Sequence, residues 1–316
     1  MASADSTETP QPAEEGVDWQ TKVRHFLNDD FVRSLPFWGI PFLIMGIAVY
    51  GGIGYTIAVS FSDYQGLGSP DFTSPDLEMY AEALSSEAFI QAAQNNLVLL
   101  IAFTTISLAL GLFLAILLDQ GYRQQGKVQT IYLLPMALSF VITAQLWLWM
   151  FNVNFGVINL VIGVFGLGPI DWLGNPQVSL TAVIFALIWQ FSGYTTVVYL
   201  AGLRSLPDDQ FEAAYVDGAS TTRTYLRIIV PQMKAASVSA AVVLMLFALK
   251  AFTFLYALTG RYRPPNGTDI LATLMVRQAF RDAEWAYSAA IAVVLLAMAL
   301  GVITPYLYYQ YRKGSL

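Results

Sequence analysis

Long apolar stretches, separated by short polar ones, set the pattern of this chain. Residues 34–62, 88–118, 128–170 and 172–203 contain no Asp, Glu, Lys or Arg, and each is longer than the ~20 residues a helix needs to cross a bilayer. Two more apolar stretches follow, at about 235–258, interrupted by Lys250, and at about 286–311. A segment in hydrocarbon must satisfy its own backbone polar groups, and a helix does so internally. The pattern therefore predicts an all-α membrane protein with six transmembrane helices, at about 36–61, 92–118, 130–151, 178–203, 235–258 and 286–311. Residues 1–33 read as an acidic, disordered cytoplasmic tail with too little apolar surface to fold. The first 20 residues lack the basic start and apolar stretch of a signal peptide.

One polar insert stands out between the fourth and fifth stretches, at 212–231: EAAYVDGASTTRTYLRIIVP. Pro207 disfavours a helical residue before it, so the fourth span should stop near Leu206. Ser205 and Asp208 have the spacing of a capping box, and Asp209 adds negative charge to a helix start. A short helix over about 208–217 follows. Gly218 is suited to end it in the left-handed conformation, and Ser220 to cap a second helix running to Pro231. Ala213 and Ala214 permit close approach of another backbone, while Phe211 and Tyr215, four apart, offer an apolar ridge. The hairpin fits a docking surface and a fold-back onto the protein's own loops equally well.

Composition agrees with the membrane reading, with 56% hydrophobic and 12% charged residues. There is no cysteine, and one histidine, His25, lies in the polar N-terminal region. Disulfides, thiolate metal sites and an intramembrane histidine site are thereby excluded. A net charge of −6 argues against nucleic acid as a partner. Basic residues mark cytoplasmic loops, and here they alternate. Eleven fall in the N-terminal tail, 119–127, 204–234 and the C-terminal tail, whereas 63–87 and 152–177 have none. Both termini are thus expected in the cytoplasm, and so is the hairpin. Arg261, Arg263, Arg277 and Arg281 break the rule in the last external loop. They suit either an anionic partner or a solvated loop beside Asp269, Asp282 and Glu284.

Three features invite chemistry. GYRQQGKV at 121–128 has phosphate-loop spacing, but Val128 replaces the metal-binding hydroxyl and no strand precedes it. Asn266, Gly267 and Thr268 form either a glycosylation triplet or a tight Asn-Gly turn. Lys250 sits inside a span, where a cation costs about 2.5–3.5 kcal/mol at mid-membrane. It must face a partner or a water-filled path, or snorkel to headgroups. Gln145, Gln190 and Thr253 are further polar candidates for a hydroxyl-rich ligand, and Trp189 and Tyr194 for stacking on a sugar ring; each also fits ordinary helix packing.

The insert resembles the EAA motif of permease subunits of binding-protein-dependent ABC importers. Glu212, Ala213, Ala214, Gly218, Ile228 and Pro231 fall in its register, with Val230 where leucine is usual. FSDYQG at 61–66, LLP at 133–135, WLWMF at 147–151, WLGNP at 172–176, YLAGLRSLP at 199–207, YALTG at 256–260 and AYSAA at 286–290 are similar to the carbohydrate branch, the maltose-type and glycerol-phosphate-type permeases. RYRPPNGT departs from the glycine-glycine-proline turn usual there. The resemblance implies that 34–316 is a six-span importer domain in a prokaryotic cell membrane. It implies, as partners, a second homologous permease, two ATPase subunits, an extracellular solute-binding protein, a sugar-like substrate and the lipid bilayer. This chain would bind no cofactor and catalyse no bond chemistry; ATP and magnesium would sit on the ATPase subunits, with the hairpin docked in their cleft. The alternatives are an ion-driven secondary transporter and a membrane-embedded enzyme. The predicted spans lack the carboxylates the first usually needs, and the histidine, cysteine and acidic residues the second would use.

Because the chain has no cysteine, introduced cysteines report topology without background. Ser69→Cys and Gln177→Cys should react with an impermeant thiol reagent on intact cells, whereas Gln125→Cys and Ser220→Cys should react only after lysis. Labelling of Ser220→Cys from outside contradicts the orientation.

Overall fold

A computed structural model describes residues 30–120, 125–265 and 267–312, and every regular element among them is helical. The predicted tail before Asp30 lies outside the described residues. Residues up to Tyr55 and those from Thr56 onward form two separate units. The described part of the first lies in helix α1 (Asp30–Val59), which carries Pro36 and Pro41 and begins several residues before the predicted span. Phe37, Phe42, Ile47 and Tyr50 stand exposed along it, as suits a helix whose surroundings are lipid or another chain.

The second unit is built around α3 (Glu87–Asp119), which follows the short α2 (Glu78–Ser85), and around α7 (Ser179–Arg204). Ser86 starts α3 by accepting the Phe89 N–H. Apolar side chains gain little by leaving lipid for one another, so helices in a membrane associate by close fit and by hydrogen bonds. The α3–α7 seam has both. Gly111 lies directly against Thr195, whose hydroxyl donates to the Ser107 carbonyl at 2.9 Å. Around the seam, Leu99, Phe103, Val183, Leu187 and Phe191 are buried with Trp147, Leu244 and Phe254 from neighbouring helices.

The remaining helices close around this pair. α4 (Gln125–Leu133) leads through a 3-10 turn at Pro135–Ala137 into α5 (Phe140–Met150), and α6 (Val157–Val164) follows. After the polar insert come α10 (Lys234–Leu249), α11 (Phe252–Thr259), α12 (Leu271–Phe280) and α13 (Trp285–Arg312). α10 packs on α3, α13 and α7, α11 on α5, and α12 on α13 and α3.

Among the described residues, four helices, Ser34–Val59, Glu87–Asp119, Ser179–Arg204 and Trp285–Arg312, are long and apolar enough to cross a membrane. Two bent pairs raise the number to as many as six. They also correct two predicted spans. The third, 130–151, is no straight rod: Gln129–Ala137 and Phe140–Met150 meet at 107°. Pro135 supplies no N–H to a continuing helix, and the Ser139 hydroxyl accepts the Ile142 N–H, starting a new one. The fifth, 235–258, breaks after Leu249, where the Lys250 N–H bonds Phe247 three residues back rather than four. Instead, Lys234–Leu249 pairs across a 67° bend with Thr221–Gln232, half of the polar insert.

A methyl added at Gly111 would overlap Thr195, including its backbone carbon. Gly111→Ala should therefore destabilise the solubilised protein by about 1–3 kcal/mol. Gly163→Ala, which meets no neighbour within 4 Å, should leave it unchanged. Thermal unfolding in detergent checks both.

Candidate functional site

The polar insert folds as a hairpin of two helices, α8 (Asp209–Val216) and α9 (Thr221–Gln232), joined at Gly218. Gly218 has φ 71°. Its N–H reaches the Tyr215 carbonyl, and the Ala219 N–H reaches the Ala214 carbonyl, both at 3.0 Å. That is the Schellman closure that a left-handed residue permits. The expected capping box does not form. Ser205 turns its hydroxyl back onto the Gly202 carbonyl at 2.7 Å, so α8 starts without a side-chain cap at Asp208. Ser220 likewise caps α9 with its backbone alone: its carbonyl accepts the Thr224 N–H at 2.9 Å.

α9 contains a π turn over Tyr225–Ile229. Pro231 explains it. A proline clashes with the carbonyl four residues back, here that of Arg227, and cannot donate to it. The wider turn, in which the Val230 N–H bonds the Tyr225 carbonyl, accommodates the loss.

The predicted ridge is divided by this packing. Phe211 lies edge-on to Tyr225, with ring centroids 5.9 Å apart, while Tyr215 and its neighbour Val216 are 84% and 83% exposed. Of the two alanines, Ala214 is buried inside the hairpin and Ala213 faces out beside Glu212. The open face thus consists of Glu212, Ala213, Tyr215 and Val216. Ile228 and Pro231 are exposed on the second arm. Gln232 Nε2 donates to Gln210 Oε1 at 2.6 Å, tying the arms together. Tyr225 and Ile229 pack with Ala115, Leu118, Leu200, Leu203 and Met233 at the ends of α3 and α7. The Tyr225 hydroxyl donates to Asp119 Oδ2 at 2.6 Å. Burial, then that carboxylate, holds the phenol above its ordinary titration range, so it remains a neutral donor.

The far end of α3 is also tied by polar groups. Asn95 Nδ2 donates to the Gly267 and Asp269 carbonyls at 2.6 and 2.7 Å, and Asn96 Oδ1 accepts the Leu271 N–H at 2.9 Å. Gly267 has φ 71°, as an Asn-Gly turn requires; Asn266 itself lies outside the described residues. The four exceptional arginines separate here. Arg277 forms a buried pair with Asp269 at 2.7 Å, so it belongs to the interior rather than to a solvated loop. Arg281 stands exposed near Asp282. Arg261 and Arg263, with Glu87, Gln91 and Asp269, line a cavity of about 730 Å³.

The six path candidates differ in burial and in partners. Gln145 donates to the Ala257 carbonyl at 2.7 Å. Gln190 is 4% exposed and donates to the Leu138 carbonyl at 3.0 Å, leaving its Oε1 buried with no partner. Trp189 meets Trp147 edge-on at 5.6 Å, and Tyr194 is half-buried. Lys250 and Thr253 are exposed where α10 breaks into α11.

Residues 107–314 match the family described as binding-protein-dependent transport system inner membrane component. The chain belongs to that family. This permease is 74% identical over 317 residues, covering all of both chains, to the xylose/arabinose import permease protein XacH of Haloferax volcanii. It is 46% identical over 276 residues to a probable ABC transporter permease protein of Pyrococcus horikoshii, covering 86% of this chain and 94% of that one. Its fold matches a chain of a bacterial ABC transporter involved in alginate import, with a TM-score of 0.78 and 22% identity over 92% of this chain and 99% of the other. The permease is thus a multi-pass membrane component of a transport system, not an enzyme, and membership overturns the ion-driven alternative.

Asp119, Gln210 and Gln232 were not legible as members of the hairpin site. Asp119 closes the second apolar run, 88–118, where a lone carboxylate reads as a span end. Its partner is 106 positions away.

Proposed function

We propose that this chain is a permease subunit of an ATP-driven sugar importer, with a pentose as cargo, and that its hairpin is the contact to the ATPase subunits. The cargo reading rests on the full-length similarity to XacH. The observation that carries the coupling reading is the hairpin itself. It is a two-helix projection, closed by a Schellman turn and tied across its arms, with Glu212, Ala213, Tyr215 and Val216 on an open face. Exposed apolar side chains beside a carboxylate form a surface for a partner chain.

On this reading six spans cross the cell membrane, the third formed by the bent pair Gln129–Ala137 and Phe140–Met150 and the fifth by Lys234–Leu249 with Phe252–Thr259, while the hairpin and both termini lie in the cytoplasm. A second permease completes the path, two ATPase subunits dock below with their ATP and magnesium, and a solute-binding protein delivers sugar from outside. ATP binding closes the ATPase pair and moves the hairpins, which opens the path outward; hydrolysis resets it. The binding protein favours one permease conformation, since a ligand shifts an equilibrium only through differential affinity. Gln145, Trp189, Gln190, Tyr194, Lys250 and Thr253 are the path candidates, and Lys250→Met should lower sugar uptake while leaving assembly intact.

Gly218→Val tests the coupling reading. Nothing lies within 4 Å of a Cβ there, so the substitution acts through strain: a β-branched residue is a poor occupant of φ 71°. The variant should insert and keep its partner permease, yet lose the ATPase subunits in a pull-down and lose uptake in vesicles. Glu212→Ala should show a milder loss, since an exposed ion pair contributes less than about 1 kcal/mol. Full ATPase retention with normal uptake in Gly218→Val contradicts the reading.

A further inference from the structure

We propose that the hydrogen bond from Tyr225 to Asp119 is the link through which hairpin movement enters α3, with Asp119 as its positioning residue; this rests on the hairpin docking to the ATPase subunits. Three observations carry it. First, the bond joins elements 106 positions apart, at 2.6 Å and with a carboxylate acceptor. Charge-assisted bonds of this kind are short and directional. The apolar packing around it, Tyr225 and Ile229 on Ala115 and Leu118, holds the surfaces together without fixing their register, because hydrophobic contact is non-directional.

Second, Tyr225 opens the π turn and also backs Phe211 of the first arm. Both arms of the hairpin therefore meet at one ring, and the hydroxyl of that ring is bonded to α3. Displacement of α8 by a docked partner reaches Tyr225 through Phe211 directly. Third, α3 is joined at its other end to the 267–271 turn by Asn95 and Asn96. From Asn96 to Asp119 the helix runs about 35 Å at 1.5 Å per residue. One continuous element thus carries side-chain hydrogen bonds to other segments towards both ends, and Asp119 makes the one on the hairpin side.

The experiment uses the complete complex in vesicles, with its ATPase subunits, partner permease and binding protein. It reads two quantities: ATPase retained on a tagged permease, and ATP hydrolysed per sugar taken up. Tyr225→Phe removes the hydroxyl and keeps the ring against Phe211. It should retain the ATPase subunits but raise ATP consumed per sugar by about three- to tenfold, the scale of a net intramolecular hydrogen bond. Asp119→Ala should do the same, and the double variant no more than either alone. Asp119→Asn keeps an acceptor oxygen and should stay within about twofold of the parent. An unchanged ratio in Tyr225→Phe overturns the proposal. So does loss of the ATPase subunits from that variant, which would make Tyr225 part of the docking surface instead. If Tyr225→Phe fails to assemble, Asp119→Ala, which leaves the ring in place, is read by the same two outcomes. Failure of the docking reading shows separately, as full ATPase retention in Gly218→Val.

Discussion

In a bundle of lipid-facing helices, apolar surfaces gain little by leaving the bilayer for one another, so the contact between α3 and α7 has to be made by fit. Gly111 supplies it by having no side chain where Thr195 lies, and the Thr195 hydroxyl finds the Ser107 carbonyl in the space so opened. α10 and α12 then pack on α3, and α10 also packs on α7. At 33 residues, α3 is about 50 Å long, well beyond the ~30 Å of hydrocarbon in a bilayer. Its ends therefore reach regions where polar side chains are tolerated, and there it carries Asn95 and Asn96 at one end and Asp119 at the other.

The hairpin shows the same economy of position. Proline at 231 would break an ordinary helix; here it produces a π turn that begins at Tyr225, the residue bonded to Asp119. Phe211, one arm away, packs on that ring. The exposed face is left to Glu212, Ala213, Tyr215 and Val216, a small surface whose geometry is set by the buried one behind it.

Local features of the sequence were readable where the physics is local. The apolar runs anticipated the long helices, and Gly218 announced a left-handed closure because few other residues tolerate it. Two short helices on either side of Gly218 were readable from Pro207, Gly218 and Ser220. The breaks at Ser139 and Lys250 were missed because both lie in apolar surroundings that a hydropathy pattern reads as continuous. Pro135 and the Ser139 hydroxyl carried the first signal, but it was outweighed by the run around them. Other errors came from tertiary competition. Ser205 had the spacing of a cap but found the Gly202 carbonyl closer. Phe211 and Ala214, which suited a docking face and a fold-back equally, pack against their own hairpin. Arg277 looked like a loop cation and became half of a buried pair with Asp269. No local pattern could have joined Asp119 to Tyr225.

On the function proposed above, this chain is a moving wall of an ATP-driven pentose importer, worked from the cytoplasm through its hairpin. Uptake of labelled xylose and arabinose into vesicles holding the whole complex tests that most directly, with ATP enclosed or omitted and the binding protein added outside. Accumulation should need both enclosed ATP and the binding protein, and should survive collapse of the proton and sodium gradients. Accumulation driven by an imposed ion gradient without ATP, or no pentose uptake under any of these conditions, would contradict it.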